Sequence, residues 1–574
     1  MHEHIAQWDN PPLISVVMPV YNTDERWLRS AIDSVLGQIY PQWELCIADN
    51  ASSEPHVSGI LKEYAKKYKR IKIKFISENG HISAASNTAL EIVTGEFTTL
   101  LDHDDVLPPN ALFWVAKEIM EHPDAMLIYS DEDKIDEKGK RFAPHFKSDW
   151  NPDLFLSYNY ITHPGIYRTS IIRKINGFRE GYEGAQDYDL ILRFTEQINE
   201  NQIYHIPRVL YHSRVIDGST AKNNEQKPYA LIAAKKAVSE YLTRKNINAE
   251  VMSAPELAEC IRVKYELPES LPLVSIIIPT RNKMSLLKTC VESIINKTDY
   301  TNYEIIIIDN NNDEPKAIAY LNYLENSMSN IRRITYHNDT FNYSDMNNAA
   351  IKHCSGDFIC FLNNDTEVIN KEWLSEMMSH AIRPETGAVS ARLWYPDDTL
   401  QHGGVIVGPG IAHLHKHMNR NSCGYMGRAA LIQNFSAVTG ACMVLRKKTF
   451  LAVHGFDAVN LKVAFNDVDL CLKIKKTGLR ILWTPYAELY HHESATRGYE
   501  DNPEKLKRFK KELSFVRRRW KDSLLNDFAY SPNLALTSRQ GCSYAWPPRV
   551  PSLSKSDMPA FSRPASQTTQ IPKL

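Results

Sequence analysis

The sequence repeats itself over most of its length, and this repeat constrains the fold more than any other feature. The segment that begins PLISVVMPVYN at Pro12 returns as PLVSIIIPTRN at Pro272. Gly95 and Gly356 lie in matching segments 261 positions apart, and further along the offset rises to 280, so the second copy carries about 19 additional residues. A repeat of this length is a whole domain and not the unit of a solenoid, so the sequence predicts two domains of one fold.

Each copy alternates short apolar runs with helical patterns. In the first copy the apolar runs cover residues 14–18, 44–48, 71–76 and 97–101, and helical patterns cover 24–36 and 57–68. This alternation is typical of βαβ units, so we predict an α/β fold with a mainly parallel, doubly wound sheet in each copy, and ligands bind such sheets beyond the carboxyl ends of the strands. The predicted boundaries are 10–222 for the first domain, 223–270 for a structured linker, 271–500 for the second domain, 501–550 for a C-terminal helical extension and 551–574 for a disordered tail.

Charge, cysteine content and hydropathy exclude several classes of protein. Lys and Arg together number 67 against 68 Asp and Glu, so no overall basic field indicates a nucleic-acid partner. The N-terminal residues lack a signal-peptide pattern and the longest apolar runs have the length of strands, so we expect a cytoplasmic protein without a membrane span. Nine scattered cysteines without CxxC pairs favour reduced thiols over disulfides or a zinc knuckle.

An acidic turn follows the fourth apolar run of each copy. LLDHDDVL contains Asp102 and Asp104, and FLNNDTEV places Asn363 and Asp365 at the matching positions. Carboxylates are ligands that Mg²⁺ and Mn²⁺ prefer, and such an ion can stabilise a leaving diphosphate. A solvated acidic turn is the alternative for an isolated motif, but the recurrence of the acid in both copies favours a metal site.

A histidine near the end of each copy is a second candidate metal ligand. His212 in LYHSR and His491 in LYHHES both follow a predicted strand end, and neutral imidazole is a common ligand of transition metals. A structural histidine is the alternative at both positions, and the adjacent His492 stays open as the ligand of the second copy.

Asp187 and Asp467 each begin a predicted helix in the pattern Asp-x-Asp-Leu. An aspartate at this place can act as a helix N-cap, which would be a structural role. The functional interpretation is a general base that takes a proton from an acceptor hydroxyl. Because both residues recur together with the other candidate sites, we favour the general base.

These motifs together resemble those of family 2 glycosyltransferases, and the similarity covers most of residues 10–548. The resemblance implies two tandem GT-A domains, with Asp187 and Asp467 as the bases of an inverting displacement and Asp104 and Asp365 as ligands of Mn²⁺ or Mg²⁺. It rests on PVYN and PTRN after the first strand, on GHISAASNTA and FNYSDMNNAA before the acidic turn, and on the acidic and late histidine motifs. The resemblance also implies contacts to a nucleotide-sugar donor from Pro19, Tyr21, Asn22, Asp49, Asn87, Asp102, Pro279, Arg281, Asn282, Asp309, Asn348 and Asn363.

The second copy with its additional segment, from YPDDTLQHGGV at Tyr395 through QNFSAVTGACMVLR at Gln433, and the closing stretch FVRRRWKDSLLNDFAYSPNLAL are similar to bacterial enzymes that build O-antigen, capsule and other surface polysaccharides, rhamnosyltransferases among them. This similarity implies a growing glycan as the acceptor, with a lipid-linked glycan as one form of it. The sequence departs from the family at Asn363, which leaves the second acidic motif incomplete, and at Gln186 and Asn466, where many relatives have Glu. An alternative is that one copy binds a nucleotide or a glycan without turnover. A nucleotidyltransferase is disfavoured because neither copy has a glycine-rich loop after its first strand.

The segment 505–521 is amphipathic, with apolar residues at spacings of three and four and basic residues on the remaining face. The favoured interpretation is a helix that packs its apolar stripe on the second domain. The alternative is peripheral contact with the inner face of the cell membrane, because basic residues near anionic lipids gain about 1 kcal/mol each.

Overall fold

The computed structural model describes residues 1–216, 228–337, 340–408, 410–493, 502–536, 543–551 and 553. The predicted tail 551–574 lies outside these residues except for Pro551 and Leu553, and so do residues 223–227 of the predicted linker. The helices are α1 (His2–Ile5), α2 (Glu25–Leu36), α3 (Pro55–Lys67), α4 (His81–Leu90), α5 (Ala111–Glu121), α6 (Pro152–Phe155), α7 (Thr169–Lys174), α8 (Gln186–Thr195), α9 (Pro228–Arg244), α10 (Met284–Lys297), α11 (Pro315–Ser327), α12 (Tyr343–Ala350), α13 (Trp373–Ala381), α14 (Lys447–Ala452), α15 (Asn466–Lys475) and α16 (Pro503–Arg519).

The strands form two large sheets and two small ones. They are β1 (Ile14–Val20), β2 (Trp43–Asn50), β3 (Ile71–Ile76), β4 (Phe97–Leu100), β5 (Leu127–Ile135), β6 (Arg141–His145), β7 (Gly165–Arg168), β8 (Ile203–Arg214), β9 (Ala249–Ala254), β10 (Leu257–Tyr265), β11 (Val274–Thr280), β12 (Tyr303–Asp309), β13 (Ile331–Thr335), β14 (Phe358–Leu362), β15 (Thr366–Val368), β16 (Thr386–Trp394), β17 (Leu400–His402), β18 (Val405–Ile406), β19 (Ala412–His413), β20 (Gln433–Phe435), β21 (Cys442–Arg446) and β22 (Arg480–His491).

The first six strands of the two large sheets have the same order, which confirms the predicted α/β fold in both copies. The first runs β3-β2-β1-β4-β7-β5-β6 with β8 on β5, and the second runs β13-β12-β11-β14-β21-β16-β22-β15. Strands β1 to β4 are parallel, and β7 then enters antiparallel between β4 and β5. All seven residues of β1 are buried, as expected for a strand covered on both faces, which explains the uninterrupted apolar runs of the sequence.

A buried polar network joins the first strands of each sheet at their start. Ser15 donates a hydrogen bond to Glu44 (2.7 Å) and accepts one from the backbone N–H of Gly95 (2.9 Å). Ser275, Glu304 and Gly356 repeat the same contacts at the same distances in the second copy. The network holds a buried carboxylate beside β1 and β11, and it requires a residue without a side chain where the backbones approach.

We expect Gly356→Ala to destabilise the second domain by about 1–3 kcal/mol, the usual cost of forcing a group into a packed interior. An added Cβ would lie 2.5 Å from the carbonyl oxygen of Leu273 and 2.8 Å from Oγ of Ser275. Gly59→Ala in α3 is the matched control because its Cβ would meet nothing within 4 Å, and helix propensity favours alanine there by about 1 kcal/mol. Thermal unfolding of the full chain separates the two, and equal melting temperatures would contradict the packing assigned to Gly356.

The segment between the large sheets packs on both copies. Helix α9 buries Ala237 and Val238 against the first copy, while Arg262 of the β9–β10 hairpin donates to Glu376 of the second copy at 2.7 Å. The copies also contact each other directly: the side-chain oxygen of Asn151 accepts from the backbone N–H of Asn434 at 2.9 Å, and its Nδ2 donates to the Asn434 carbonyl at 2.9 Å. Buried polar contacts therefore hold the two copies in one arrangement.

Helix α16 packs on the second copy in the way that the favoured interpretation predicts. Val516 and Trp520 are buried, and the indole N–H of Trp520 donates to Asp469 at 2.8 Å. Glu512, also buried, accepts from the backbone N–H groups of Val463 (3.2 Å) and Ala464 (2.9 Å). The basic side chains that stay exposed are Lys507, Lys510, Lys511, Arg517, Arg518 and Arg519. Among the described helices, none combines the length and apolar character that crossing a membrane requires.

Candidate active site

The second copy has a cavity of about 290 Å³ at the carboxyl ends of β11 and β14. Predicted residues of every class line it: Pro279, Arg281 and Asn363 of the donor group, Asp365 and His491 of the metal group, and the predicted base Asp467. The structure therefore brings most of the residues predicted for the second copy to one place. The lining also includes residues that sequence reasoning did not single out, namely Tyr343, Gln401, His413, Gly440, Ala441 and Glu493.

Asp467 lies in the first turn of α15 and is held by backbone donors. Its Oδ2 accepts from the N–H of Gly440 at 3.0 Å and its Oδ1 from the N–H of Val468 at 2.8 Å, while Phe465, and not Asp467, occupies the N-cap position. Burial raises the pKa of Asp467, and the backbone hydrogen bonds oppose that shift. Each carboxylate oxygen keeps a lone pair, so the group can accept a proton from a ligand in the cavity.

The other aspartate of each Asp-x-Asp pattern is structural. Asp469 accepts from Trp520, and Asp189 accepts from Arg193 at 2.9 Å and forms ion pairs with Arg179. Both are completely buried. In each pattern the first aspartate therefore lies at the site, and the second anchors the helix through buried hydrogen bonds.

Asp365 and His491 form the part of the second site that suits a divalent cation. Nε2 of His491 lies 3.4 Å from Oδ1 of Asp365 and 3.4 Å from Nδ2 of Asn363. Oδ1 of Asp365 and Nδ1 of His491 are buried and have no hydrogen-bond partner among the described residues. No group of three or more His, Cys, Asp or Glu side chains in the described chain is arranged to hold a metal ion. Two protein ligands nevertheless fit Mg²⁺ or Mn²⁺ when diphosphate oxygens supply the remaining positions.

The first copy places its predicted base, Asp187, in the first turn of α8, where Gln186 donates to it at 3.2 Å. Burial raises the pKa of Asp187 to about 6; nearby Asp102 adds to the shift and His163 opposes it. Nε2 of His163 lies 3.6 Å from Asp102, and its ring stacks on Tyr211 with centroids 4.8 Å apart. Asp102 and Asp187 are therefore in one site, with an imidazole that the sequence did not predict there.

His163 occupies the place that Ala441 has in the second copy. Arg168 pairs with Phe97, and Arg446 pairs with Phe358, so the two strands have equivalent register. His163 is the fifth residue before Arg168, as Ala441 is the fifth before Arg446. An imidazole therefore fills, in the first copy, a position where the second copy has a small residue that lines the cavity.

The structure does not bring His212 to Asp104. Nδ1 of His212 contacts Asp133 of β5. His491 pairs with Thr366, the residue directly after Asp365, whereas His212 pairs with Val106, two residues after Asp104. A shift of one residue in strand pairing turns a side chain to the opposite face of a sheet, so His212 and His491 match in sequence but differ in direction.

A third acid of the first acidic turn, Asp105, is tied to the protein. It accepts from the hydroxyl of Tyr211 at 2.8 Å and from the backbone N–H of Arg214 at 2.6 Å. Asp104 makes no such side-chain contact in the described chain, and burial raises its pKa. Of the predicted acids, Asp102 and Asp104 therefore remain as the pair that could hold a cation in the first copy.

Asn22 and Asn282 follow the first strand of their copies and fasten the next loop. The side-chain oxygen of Asn22 accepts from the N–H groups of Ser53 (2.8 Å) and Glu54 (3.2 Å), and Asn282 does the same for Asp313 and Glu314. Both have positive φ, a conformation that asparagine tolerates well. They hold the loops after Asp49 and Asp309 in place.

Asp49 and Asp309 lie at matching strand ends but have different surroundings. Asp49 accepts from the N–H of Ser52 at 3.2 Å, whereas Asp309 also receives hydrogen bonds from Asn312 and from the guanidinium of Arg333. Burial alone would raise the pKa of Asp309, but the bonds from Asn312 and Arg333 outweigh it and lower that pKa. Of the remaining predicted contacts, Tyr21 is 45% exposed and the carbonyl of Pro19 lies 3.2 Å from Nδ1 of His103.

The side chains of Asn87 and Asn348 each form two hydrogen bonds with the protein backbone. Nδ2 of Asn87 donates to the carbonyl of Phe178 at 2.8 Å, and its Oδ1 accepts from the N–H of the same residue at 2.8 Å. Asn348 makes the same pair of bonds with Phe456 at 2.9 and 3.0 Å. Both residues therefore link the helix before the acidic turn to the loop before the predicted base, and Asn348 is not among the residues that line the cavity of the second copy.

The raised pKa of Asp187 predicts a pH dependence for the first copy. A general base acts in its deprotonated form, so the kcat/KM of the first-copy reaction should rise with pH through about 6 and fall by about tenfold for each pH unit below it. The measurement is kcat/KM against pH for the transfer that Asp187→Asn removes. The control repeats the profile in a second buffer, which should not change the rate. A flat profile between pH 5 and 7 would contradict the assignment.

Comparison with known proteins identifies the family of the chain. The family model for glycosyl transferase family 2 matches residues 15–175 and 275–451, more than half of the chain, so this chain belongs to that family. The two sheets are accordingly tandem GT-A domains.

Relatives match the chain over most of its length. A protein of Sinorhizobium fredii described as uncharacterized protein y4gI is 46% identical over 93% of this chain and 59% of its own length. The O-antigen biosynthesis protein RfbC of Myxococcus xanthus is 37% identical over 88% of this chain and 39% of its own length. This chain thus spans less than two thirds of either relative. Staphylococcus aureus TarS 1–349, solved in complex with UDP-GlcNAc, matches with a TM-score of 0.34 and 20% identity over 40% of this chain and 66% of that one.

Proposed function

We propose that the chain is an inverting, metal-dependent glycosyltransferase whose two copies each move a sugar from a nucleotide-sugar donor to a growing surface glycan of the O-antigen or capsule type. The observation that carries the proposal is Asp467, a half-buried carboxylate of raised pKa at a cavity that also contains Asp365 and His491. The relationship to an O-antigen biosynthesis protein supports the glycan class.

Asp467 acts as the general base of the second copy. As the acceptor oxygen attacks the anomeric carbon, the acceptor proton passes to a carboxylate oxygen of Asp467. The new bond between carbon and acceptor oxygen forms while the bond to the diphosphate oxygen breaks, and the nucleoside diphosphate leaves with the electron pair. The N–H groups of Gly440 and Val468 orient the carboxylate during this transfer.

Asp365 and His491 would hold the Mn²⁺ or Mg²⁺ ion of the second copy, and Asp102 with Asp104 would hold that of the first. When bound, the ion supplies positive charge for the leaving diphosphate. Asn363 fits beside this group because its Nδ2 already faces His491 and its Oδ1 lies 3.4 Å from the hydroxyl of Tyr343. An amide there adds no repulsion between neighbouring carboxylates.

One observation favours a second candidate function for the first copy. His163 stands at the position of Ala441 and pairs with Asp102. Its imidazole fills space that belongs to the cavity in the second copy. The alternative is therefore a first copy that binds a nucleotide or glycan without turnover, beside a catalytic second copy.

We also propose that the acceptor is presented at the inner face of the cell membrane. The apolar side of α16 is buried on the second copy, so any membrane contact would use the exposed basic face that includes Lys507, Lys510 and Lys511. Sedimentation with anionic liposomes at low and high salt tests this, with neutral liposomes as the control. Absence of binding at low salt would leave α16 with its packing role alone.

Release of nucleoside diphosphate tests the enzymatic proposal. The purified chain is mixed with UDP-, dTDP- or GDP-sugars, a glycan acceptor and Mn²⁺, and the released diphosphate is measured. We expect acceptor-dependent release with at least one donor. Binding of donors, seen as a rise in melting temperature, without release under any of these conditions would contradict catalysis and favour the binding alternative.

A further inference from the structure

The additional segment of the second copy covers one wall of its cavity. Gln401 in β17 and His413 in β19 belong to this segment, and both line the cavity together with Glu493. The first copy has a shorter connection between β5 and β7, in which β6 pairs with β5 as β17 pairs with β16. Its described residues have no strand that matches β19, and Arg214 stands at the place that the motif alignment gives to Glu493. His413 and Glu493 therefore distinguish this wall from the matching part of the first copy.

The hydrogen bonds between the buried His402 and the half-buried His413 fix the direction in which His413 can donate. The backbone N–H of Thr439 lies 3.5 Å from Nε2 of His402, and Nδ1 of His402 lies 2.8 Å from Nδ1 of His413. If His402 accepts from Thr439 at Nε2, its hydrogen is on Nδ1 and donates to His413. His413 then carries its own hydrogen on Nε2. The opposite assignment would set two N–H groups against each other at Thr439.

Both rings are neutral, which the donor assignment requires. Burial lowers the pKa of His413 to about 4 and lowers that of His402 far below its usual range. A pair of imidazolium rings at 2.8 Å would also repel. His413 is thus a neutral N–H donor held in a fixed orientation by His402.

Gln401 and Glu493 add acceptors beside this donor. Oε1 of Gln401 is buried, with the residue 3% exposed, and has no hydrogen-bond partner among the described residues. Nε2 of Gln401 donates to Glu493 at 3.4 Å, and Lys416 lies 3.7 Å from the same carboxylate. A buried polar atom without a partner is costly, so the amide oxygen of Gln401 is suited to a donor supplied by a ligand.

We propose that Gln401, His413 and Glu493 form a subsite that binds hydroxyl groups of the transferred sugar in the second copy. A sugar hydroxyl both donates and accepts, and this wall offers one N–H donor and two kinds of acceptor. The sugar of the donor is the occupant because it is bonded to the diphosphate, whose proposed site at His491 is two residues from Glu493. This inference rests on the proposed function and deepens it: the two copies select different donor sugars.

The test compares sugar nucleotides with their own nucleoside diphosphates in binding measurements without acceptor. UDP-glucose, UDP-GlcNAc, dTDP-rhamnose and GDP-mannose, and UDP, dTDP and GDP, are titrated by calorimetry into the full chain with Mn²⁺. We expect Gln401→Leu and His413→Leu to weaken the sugar nucleotide that the second copy prefers by about tenfold, with binding of its diphosphate changed less than twofold. His413→Gln keeps an N–H donor and should retain most of the affinity.

Asn421→Ala, an exposed position of the same segment, is the matched control and should change neither affinity. The subsite would be overturned if the Leu variants lost equal affinity for the sugar nucleotide and its diphosphate, or lost affinity for neither. It would also be overturned if the wild-type chain bound every sugar nucleotide with the same affinity as its diphosphate. Failure of all nucleotides to bind would instead contradict the proposed function itself, so the two failures are distinguishable.

Discussion

Asp467→Asn is expected to lower the kcat of one sugar transfer by about 10²-fold or more and to leave the other transfer unchanged. The substitution keeps the shape of the side chain and its oxygen can still accept from Gly440, but the amide cannot take a proton from the acceptor. The measurement is the rate of diphosphate release for each donor that the wild-type chain uses.

Asp187→Asn is the matched variant, because it makes the same change at the equivalent place of the first copy. It should remove the complementary transfer, and Asp469→Asn, which alters a structural aspartate of α15, should act through stability instead. An Asp467→Asn chain with every product at the wild-type rate would contradict catalysis by the second copy. The same result for Asp187→Asn would make the first copy a binding module and give His163 a part in closing its site.

Removal of divalent cations is expected to produce the second large effect. EDTA should lower transfer by the second copy by about 10²-fold or more, because a divalent cation at Asp365 and His491 would stabilise the departing diphosphate by several kcal/mol, and Arg281 at the same cavity supplies only a single positive charge. Mn²⁺ or Mg²⁺ should restore the rate, and Ca²⁺ at equal concentration serves as a control for ionic strength.

A binding measurement distinguishes a loss of metal-dependent transfer from a loss of folded structure. Mn²⁺ with a nucleoside diphosphate should raise the melting temperature of the wild-type chain more than that of Asp365→Asn. Full activity in EDTA would remove the metal role from Asp365 and His491 together.

The repeat and the alternation of apolar runs were sufficient to predict the fold and the edge of the sheet where the site lies. Asp365, Asp467 and His491 line one cavity as expected because each follows or begins an element at the carboxyl edge of the sheet. The recurrence of a residue in both copies was less informative about whether its role is catalytic or structural. Asn87 and Asn348 recur because both copies use this side chain to hydrogen-bond the backbone of a neighbouring loop. The Ser15 and Ser275 networks recur for the same structural reason.

Other parts of the site could not be predicted from one sequence because they depend on strand register and on distant segments. His212 and His491 share a motif, but a one-residue difference in pairing turns His212 to Asp133. His163 carries no motif, and its place in the first site follows from the register of β7 on β4, because it lies two residues before β7. His413 lies in a segment that was visible as an addition to the second copy, yet only the fold shows that it lines the same cavity as Asp467.

Mixing two inactivated chains tests most directly the central claim that each copy performs its own transfer. Asp187→Asn and Asp467→Asn chains are incubated separately and together with acceptor and donors, and the products are weighed by mass spectrometry. We predict that each chain alone stops at an incomplete product and that the mixture forms the wild-type product, because each supplies the base that the other lacks. A complete product from either chain alone, or no complete product from the mixture, would contradict two independent catalytic copies.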